Sequence, residues 1–232
     1  MSSIYNLYGV SDDEFNQSSE DSANEFMDIA EGLFDLFEYD TAADSLRRYR
    51  SGEGGTESYT AEEMSNHPAY DDAIDHNRTM FESNTFTGMT KKPGIREKLL
   101  GLQDGQSASF QDNWDRNINS FSTYNFSRPS TYFAFGRSGI RSDGDFTATR
   151  NGDYLTISGN VLNRLGDEKH DTEEFDFNPG QIGSPEARVL ERAGLAKPFA
   201  MDYRRRQTVE ALARYEPDGT ITLLKALWGL LE

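Results

Sequence analysis

The sequence predicts an α+β protein: a helical N-terminal half followed by a mainly antiparallel β domain with one inserted helix. Apolar residues in the first half recur at helical spacing, and after Pro129 the period shortens to that of strands. Asp143-Gly144 and Asn151-Gly152 punctuate the second half with short hairpin signals. Three parts are expected within the 232 residues: an acidic helical segment with a linker over 1–58, a helical region over 59–125, and an antiparallel β domain over 126–232.

The first helix is expected from Ser22 to about Arg50. Phe26, Ala30, Leu33 and Phe37 stand at i, i+4, i+7 and i+11, and Ile29 and Leu36 widen the stripe. Acids crowd its early turns and Arg47, Arg48 and Arg50 its end, as the helix dipole favours. The glycines of 51–59 read as a linker. Thr60 to Glu63 forms a capping-box pattern, Tyr70, Ile74 and Phe81 share a helical face, and Pro93-Gly94 opens a short helix through Leu99, Leu100 and Leu102. Phe110, Trp114, Ile118 and Phe121 mark a fourth helical stripe.

The β domain begins with "TYFAFGR", "DFTATR" and "DYLTISGNVLNRL", a meander over about 129–165 with a bulge expected at Gly159. "SPEARVLERAG" reads as a helix with Ser184 as N-cap, Pro185 at its first position and Gly194 as its stop. "AKPFAMDY" suits a strand, "QTVEALARY" fits strand or helix, and "EPDGT" is a turn into "ITLLKAL".

The formal charge is −17, and residues 1–64 carry sixteen Asp and Glu against three Arg, so −13 falls in the first quarter. Such a chain repels phosphate backbones and carries no basic stripe, which argues against nucleic-acid partners. With 15 Phe, 11 Tyr and 2 Trp the chain is too aromatic to be disordered throughout. It has no cysteine, which excludes disulfides, thiolate metal sites and a cysteine nucleophile. No basic-then-apolar leader opens it, so a secretory signal peptide is not expected.

No sequence motif for a metalloprotease, serine hydrolase, P-loop or dinucleotide fold is present. The chemically densest stretch is "HDTEEFDFNPGQIGS", residues 170–184. Glu173, Glu174 and Asp176, next to His170 and Asp171, would hold a hard divalent cation through oxygens. The same carboxylates are equally compatible with solvation or pairing to Arg164, Lys169 or Arg188.

The segment 151–194 resembles the C-terminal toxin domain of colicin M, a family of bacteriocins that degrade the lipid-linked peptidoglycan precursor. The likeness rests on the Asn-Gly hairpin, the run Glu-Glu-Phe-Asp-Phe-Asn at 173–178, and a helix carrying Leu190-Glu191-Arg192 and ending in Gly194. The resemblance implies a magnesium-dependent phosphodiesterase with Glu173 and Asp176 as its acids and metal ligands. Ile182 and Gly183 occupy the family's His-Arg positions, so His170 and Arg188 are the remaining candidates for the cationic and proton-transfer roles.

Three functions follow as expectations. The first is an antibacterial effector made without a leader and delivered to the target-cell periplasm, with a delivery machine or receptor, an immunity protein and an envelope lipid as partners. The second is a membrane-active effector using Leu223, Leu227, Trp228 and Leu231 as an amphipathic face. The third is an adaptor of a phage or secretion assembly that makes contact through its acidic helices.

Overall fold

A computed structural model describes residues 17–60, 63–64, 68–118, 138–166, 173–175 and 185–231. The chain divides into two compact units, one built on the described residues of 1–57 and 174–201, the other on those of 58–119, 137–173 and 202–231. Helices and a mainly antiparallel sheet coexist, so the α+β class holds.

The first unit opens with helices α1 (Gln17–Leu36) and α2 (Asp40–Ser51). The single long helix expected over 22–50 is broken at Glu38, which takes φ +57° and stops α1 in a left-handed turn. The Tyr39 amide donates to the Phe34 carbonyl at 2.7 Å, and the Tyr39 ring stacks on Phe37. Arg47 on α2 ties the two helices together by reaching Glu31 at 2.9 Å and Asp35 at 2.5 Å, while Arg50 reaches Asp28 at 2.6 Å.

The expected linker is ordered by specific contacts. The Arg48 guanidinium donates to the Gly54 and Thr56 carbonyls and sits 5.2 Å from the Phe199 ring centre. Strand β1 (Thr56–Ser58) follows in a three-stranded sheet of order β1-β6-β5, with β5 at Glu173–Phe175 and β6 at Phe199–Asp202. Helix α5 (Pro185–Ala193) starts at its proline and stops at Gly194, φ +73°, as its sequence requires. The Tyr49 hydroxyl donates to Glu191 at 2.6 Å, fastening α2 to α5.

The second unit starts from the Thr60 capping box, in which the Thr60 amide donates to Glu63 at 2.6 Å and the Glu63 amide to the Thr60 hydroxyl at 3.3 Å. Helix α3 (Pro68–Met80) buries Tyr70, Ala73 and Ile74, then widens into a π-helical turn at Phe81–Thr85. Phe81 and Phe86 lie about 140° apart on a regular α-helix. The wider turn lets both become fully buried against Phe146. Helix α4 (Ile95–Gly101) completes the cover.

Under it lies an antiparallel sheet of order β2-β3-β4-β7-β8: β2 (Ser107–Ile118), β3 (Ser138–Asn151), β4 (Tyr154–Leu165), β7 (Arg204–Tyr215) and β8 (Ile221–Leu231). β2 corrects the fourth helical stripe: Phe110, Trp114 and Ile118 are separated by even numbers, so a period of two also aligns them. Phe121 and all of "TYFAFGR" lie outside the described residues.

Asn151-Gly152 makes the expected hairpin, with Gly152 at φ +61°. Asp143-Gly144 does not; it sits within β3, paired to β4 on one side and β2 on the other. Nor is Gly159 a bulge. It pairs with Phe146, and a Cβ there would lie 2.2 Å from the Asp145 carbonyl oxygen and 2.6 Å from the Phe146 ring. The irregularity falls instead between Leu212 and Ala213. The ambiguous 207–215 run is a strand, and so is the tail. Leu223 and Trp228 therefore pack on the core while Leu227 stays exposed, so the face expected to group them is divided between the two sides of a strand.

Candidate functional site

His170 and Asp176 lie outside the described residues. Glu173 begins β5, where only the backbone is described, and Arg188 is an exposed residue of α5. Arg164, one candidate partner for these carboxylates, reaches Asp143 at 3.0 Å, and Arg141 reaches the same carboxylate at 2.7 Å. No group of three or more acids and histidines suited to a metal occurs among the described residues.

The sequence reasoning overlooked two buried polar groupings in the sheet unit. Asp112 on β2 is 3 % exposed and accepts the hydroxyls of Thr85 at 2.6 Å and Thr90 at 2.8 Å. Its other oxygen takes the Asn113 amide at 2.9 Å, and the Lys92 ammonium stands 3.8 Å away. Trp114 Nε1 donates to the Thr85 hydroxyl at 2.9 Å, so the carboxylate clamps the end of the π-helical turn to β2. Its acceptor capacity is taken up within the protein, which makes it an anchor.

The second grouping crosses β3, β4 and β7. The Asn77 amide donates to Ser142 at 3.0 Å and to the Ile140 carbonyl at 3.1 Å. Ser142 donates to Asn163 at 2.6 Å, and Asn163 to Gln207 at 3.0 Å. Slipping any of these strands by one residue would turn its member out of the chain and bury an unpaired polar group, so the chain fixes register. Tyr203 packs edge-on against Tyr70 nearby; burial raises its ionisation above the usual tyrosine value, and the Arg205 guanidinium works against that rise. The signal for both groupings was present: Asp112, Ser142, Asn163 and Gln207 occupy strand positions in phase with buried apolar residues.

The surface that departs furthest from a solvated protein is on α1. Ala23, Met27 and Phe34 are its buried residues, a narrow stripe that packs on α2 and α5. The broader stripe expected to face the core is largely open instead: Phe26 is 40 % exposed, Ile29 56 %, Leu33 46 %, Leu36 73 % and Phe37 57 %. At the 100° step of a helix these five occupy an arc about 100° wide. Asp21 and Glu25 border that arc on the side away from the buried stripe, and neither makes an ion pair with a described residue. The next acids around the helix, Asp28 and Asp35, are held by Arg50 and Arg47. The hydrogen bonds that Arg47 donates to Asp35 and then to Glu31 raise its pKa further, so it stays charged.

Comparison with family models, with curated proteins and with solved structures finds no match to this chain.

Proposed function

We propose that this protein is an adaptor-type effector that works by docking, through α1, an amphipathic partner segment whose apolar stripe is bordered by Lys or Arg. The observation that carries the reading is the set of five exposed apolar side chains on one arc of α1 and its C-terminal turn, edged by carboxylates that pair with no described residue. Isolated exposed apolar residues are ordinary, but a contiguous set rimmed by charge marks an interaction surface. The −13 charge of residues 1–64 repels a second copy of the same helix and attracts a cationic one.

Covering a fully exposed large apolar side chain is worth about 1.5–3 kcal/mol; with half of each already covered, the five together contribute about 5 kcal/mol. Association itself costs about as much or more. The contact is therefore a weak, salt-sensitive one on its own, suited to an escort or immunity-type partner that must later let go.

The test uses two synthetic helical peptides with the same apolar stripe, one bordered by lysines and one by glutamates, titrated into the full chain by fluorescence anisotropy. Binding of the lysine peptide alone, lost in Ile29→Ser/Leu33→Ser with unchanged helix content, supports docking. Equal binding to wild type and variant would sink it, because charge alone would then account for the contact.

A second reading keeps the resemblance of 151–194 to the colicin M toxin domain. On that reading the docked effector reaches the periplasm and uses Glu173 and Asp176, with magnesium, on a lipid-linked peptidoglycan precursor. Its support is the sequence run 173–178 together with the strand backbone of Glu173–Phe175. Periplasmic expression that lyses cells and depletes the precursor, cured by Glu173→Ala/Asp176→Ala, would establish it; lysis indifferent to the double substitution would remove it.

A further inference from the structure

We propose that the open face of the five-stranded sheet carries a binding site for a polyhydroxylated ligand, an oligosaccharide segment, in a trough of about 850 Å³ across β2, β3, β4 and β7. This proposal rests on the sheet unit alone and does not depend on the docking reading of α1. One face of the sheet is covered by α3, the π-helical turn and α4, and the trough lies on the other. Phe110, Phe146 and Val209 border it, but their side chains are buried on the core side, so they contribute backbone alone.

Strand register places two polar rows side by side in the trough. Gln111 pairs with Asp145, Asp145 with Asn160, and Asn160 with Thr208. One alternation along, Ser109 pairs with Thr147, Thr147 with Ser158, and Ser158 with Glu210. On the β2–β3 side these groups engage one another: Gln111 donates to Asp145 at 2.5 Å, and the Ser109 and Thr147 hydroxyls are 3.2 Å apart. On the β4–β7 side the side chains of Ser158, Asn160, Thr208 and Glu210 make no hydrogen bond to any described side chain. That half offers hydroxyl, amide and carboxylate groups to a visitor.

The chemistry of the lining selects the ligand class. Hydroxyls and amides both donate and accept, and carboxylates accept in pairs, which matches the vicinal diols of a sugar. A polyphosphate is disfavoured: among the described lining residues the one cation is Lys98, already donating to the Ser109 carbonyl at 3.2 Å, and the carboxylates of Asp145 and Glu210 belong to the same lining. Lipids and flat aromatic ligands are disfavoured because the side chains that the described residues offer to the trough are polar. None of the strands' arginines is among the described lining residues. Arg141 and Arg164 engage Asp143, Arg150 lies over the Tyr215 ring, Arg204 engages Asp202 and Arg214 engages Glu216, while Arg206 stands exposed beyond the Thr208 row. The volume lies within the ordinary range for ligand sites. Three strand spacings give roughly 14 Å from β2 to β7, enough for more than one sugar ring.

The experiment applies the full-length chain to a glycan array of bacterial and eukaryotic saccharides, then titrates the best soluble oligosaccharide into ¹⁵N-labelled protein. Amide shifts confined to 109–111, 145–147, 158–160 and 208–210 are expected. Asn160→Ala and Glu210→Gln should each weaken binding about tenfold while leaving tryptophan fluorescence unchanged. An array no brighter than a heat-denatured control, shifts located elsewhere, or affinity unchanged in both variants would overturn the proposal. Binding of spermidine with no saccharide would also overturn it, by assigning the two carboxylates to a polyamine.

Discussion

Replacing Asp112 by alanine tests whether the clamp on the π-helical turn holds the sheet unit together. In the native chain one carboxylate oxygen receives two hydroxyls, at 2.6 and 2.8 Å, and the other an amide at 2.9 Å, in a residue 3 % exposed. A hydrogen bond to a charged group is worth about 1.5–3 kcal/mol, and leaving a buried donor unpaired costs a similar amount. Losing both threonine bonds should therefore destabilise the unit by about 4 kcal/mol. Asp112→Asn keeps the shape and one acceptor, so it should cost about 2 kcal/mol. Both tryptophans, Trp114 and Trp228, belong to this unit, so their fluorescence during urea unfolding reports on it without the helical unit. A 4 kcal/mol loss corresponds to about 15 °C in Tm for a unit of this size. Hydrogen exchange at 81–90 should accelerate first. If Asp112→Ala unfolds within about 1 kcal/mol of wild type, the carboxylate is not the anchor the geometry makes it.

Three other outcomes are expected. Glu38→Gly should stabilise the α1–α2 pair by about 0.5–1 kcal/mol, since glycine carries no penalty at φ +57°; no rise in the helix-detected midpoint would refute the strain. Gly159→Val should cost at least about 2 kcal/mol, because its side chain meets a backbone oxygen and the Phe146 ring; a neutral effect by the tryptophan-detected midpoint would contradict this packing. Burial, with the Arg116 guanidinium beside it, lowers the His76 pKa below its ordinary 6.5, so the folded chain binds fewer protons than the unfolded one below that pH. Its contribution is complete above about pH 6.5 and is lost as pH falls through the lower folded value. His76→Gln should flatten that part of the urea-midpoint profile; an unchanged difference between the two pH limits would show that other groups cause it.

Local chemistry was legible where a residue's role depends on its immediate neighbours. The Thr60 capping box, Pro185 opening a helix that Gly194 stops, and the Asn151-Gly152 hairpin all follow from backbone preferences that act within a few residues. The face shared by Tyr70, Ile74 and Phe81 was legible for the same reason. The readings that changed were those in which two periods, or two burial patterns, suit the same letters. Phe110, Trp114 and Ile118 satisfy helix and strand alike, and pairing with β3 decides for the strand. Asp143-Gly144 has the letters of a turn, yet β2 and β4 hold it extended on both sides. The acidic run 173–178 could be read chemically in the sequence, but its side chains lie outside what the structure describes.

The sequence by itself determined the α+β class, the Thr60 and Pro185 helix starts and the Gly194 stop, the acidic character of the first quarter and the absence of cysteine chemistry. Tertiary structure alone decided which apolar stripe of α1 is covered, because Ala23, Met27 and Phe34 fit against α2 and α5 and the larger set has no described neighbour to bury it. It also decided that Gly159 makes room for Phe146, that Asp112 anchors the π-helical turn, and that eight small polar residues from four strands share one trough. Each of these depends on partners distant in sequence, brought together by strand pairing and packing, and no local preference of the chain encodes them.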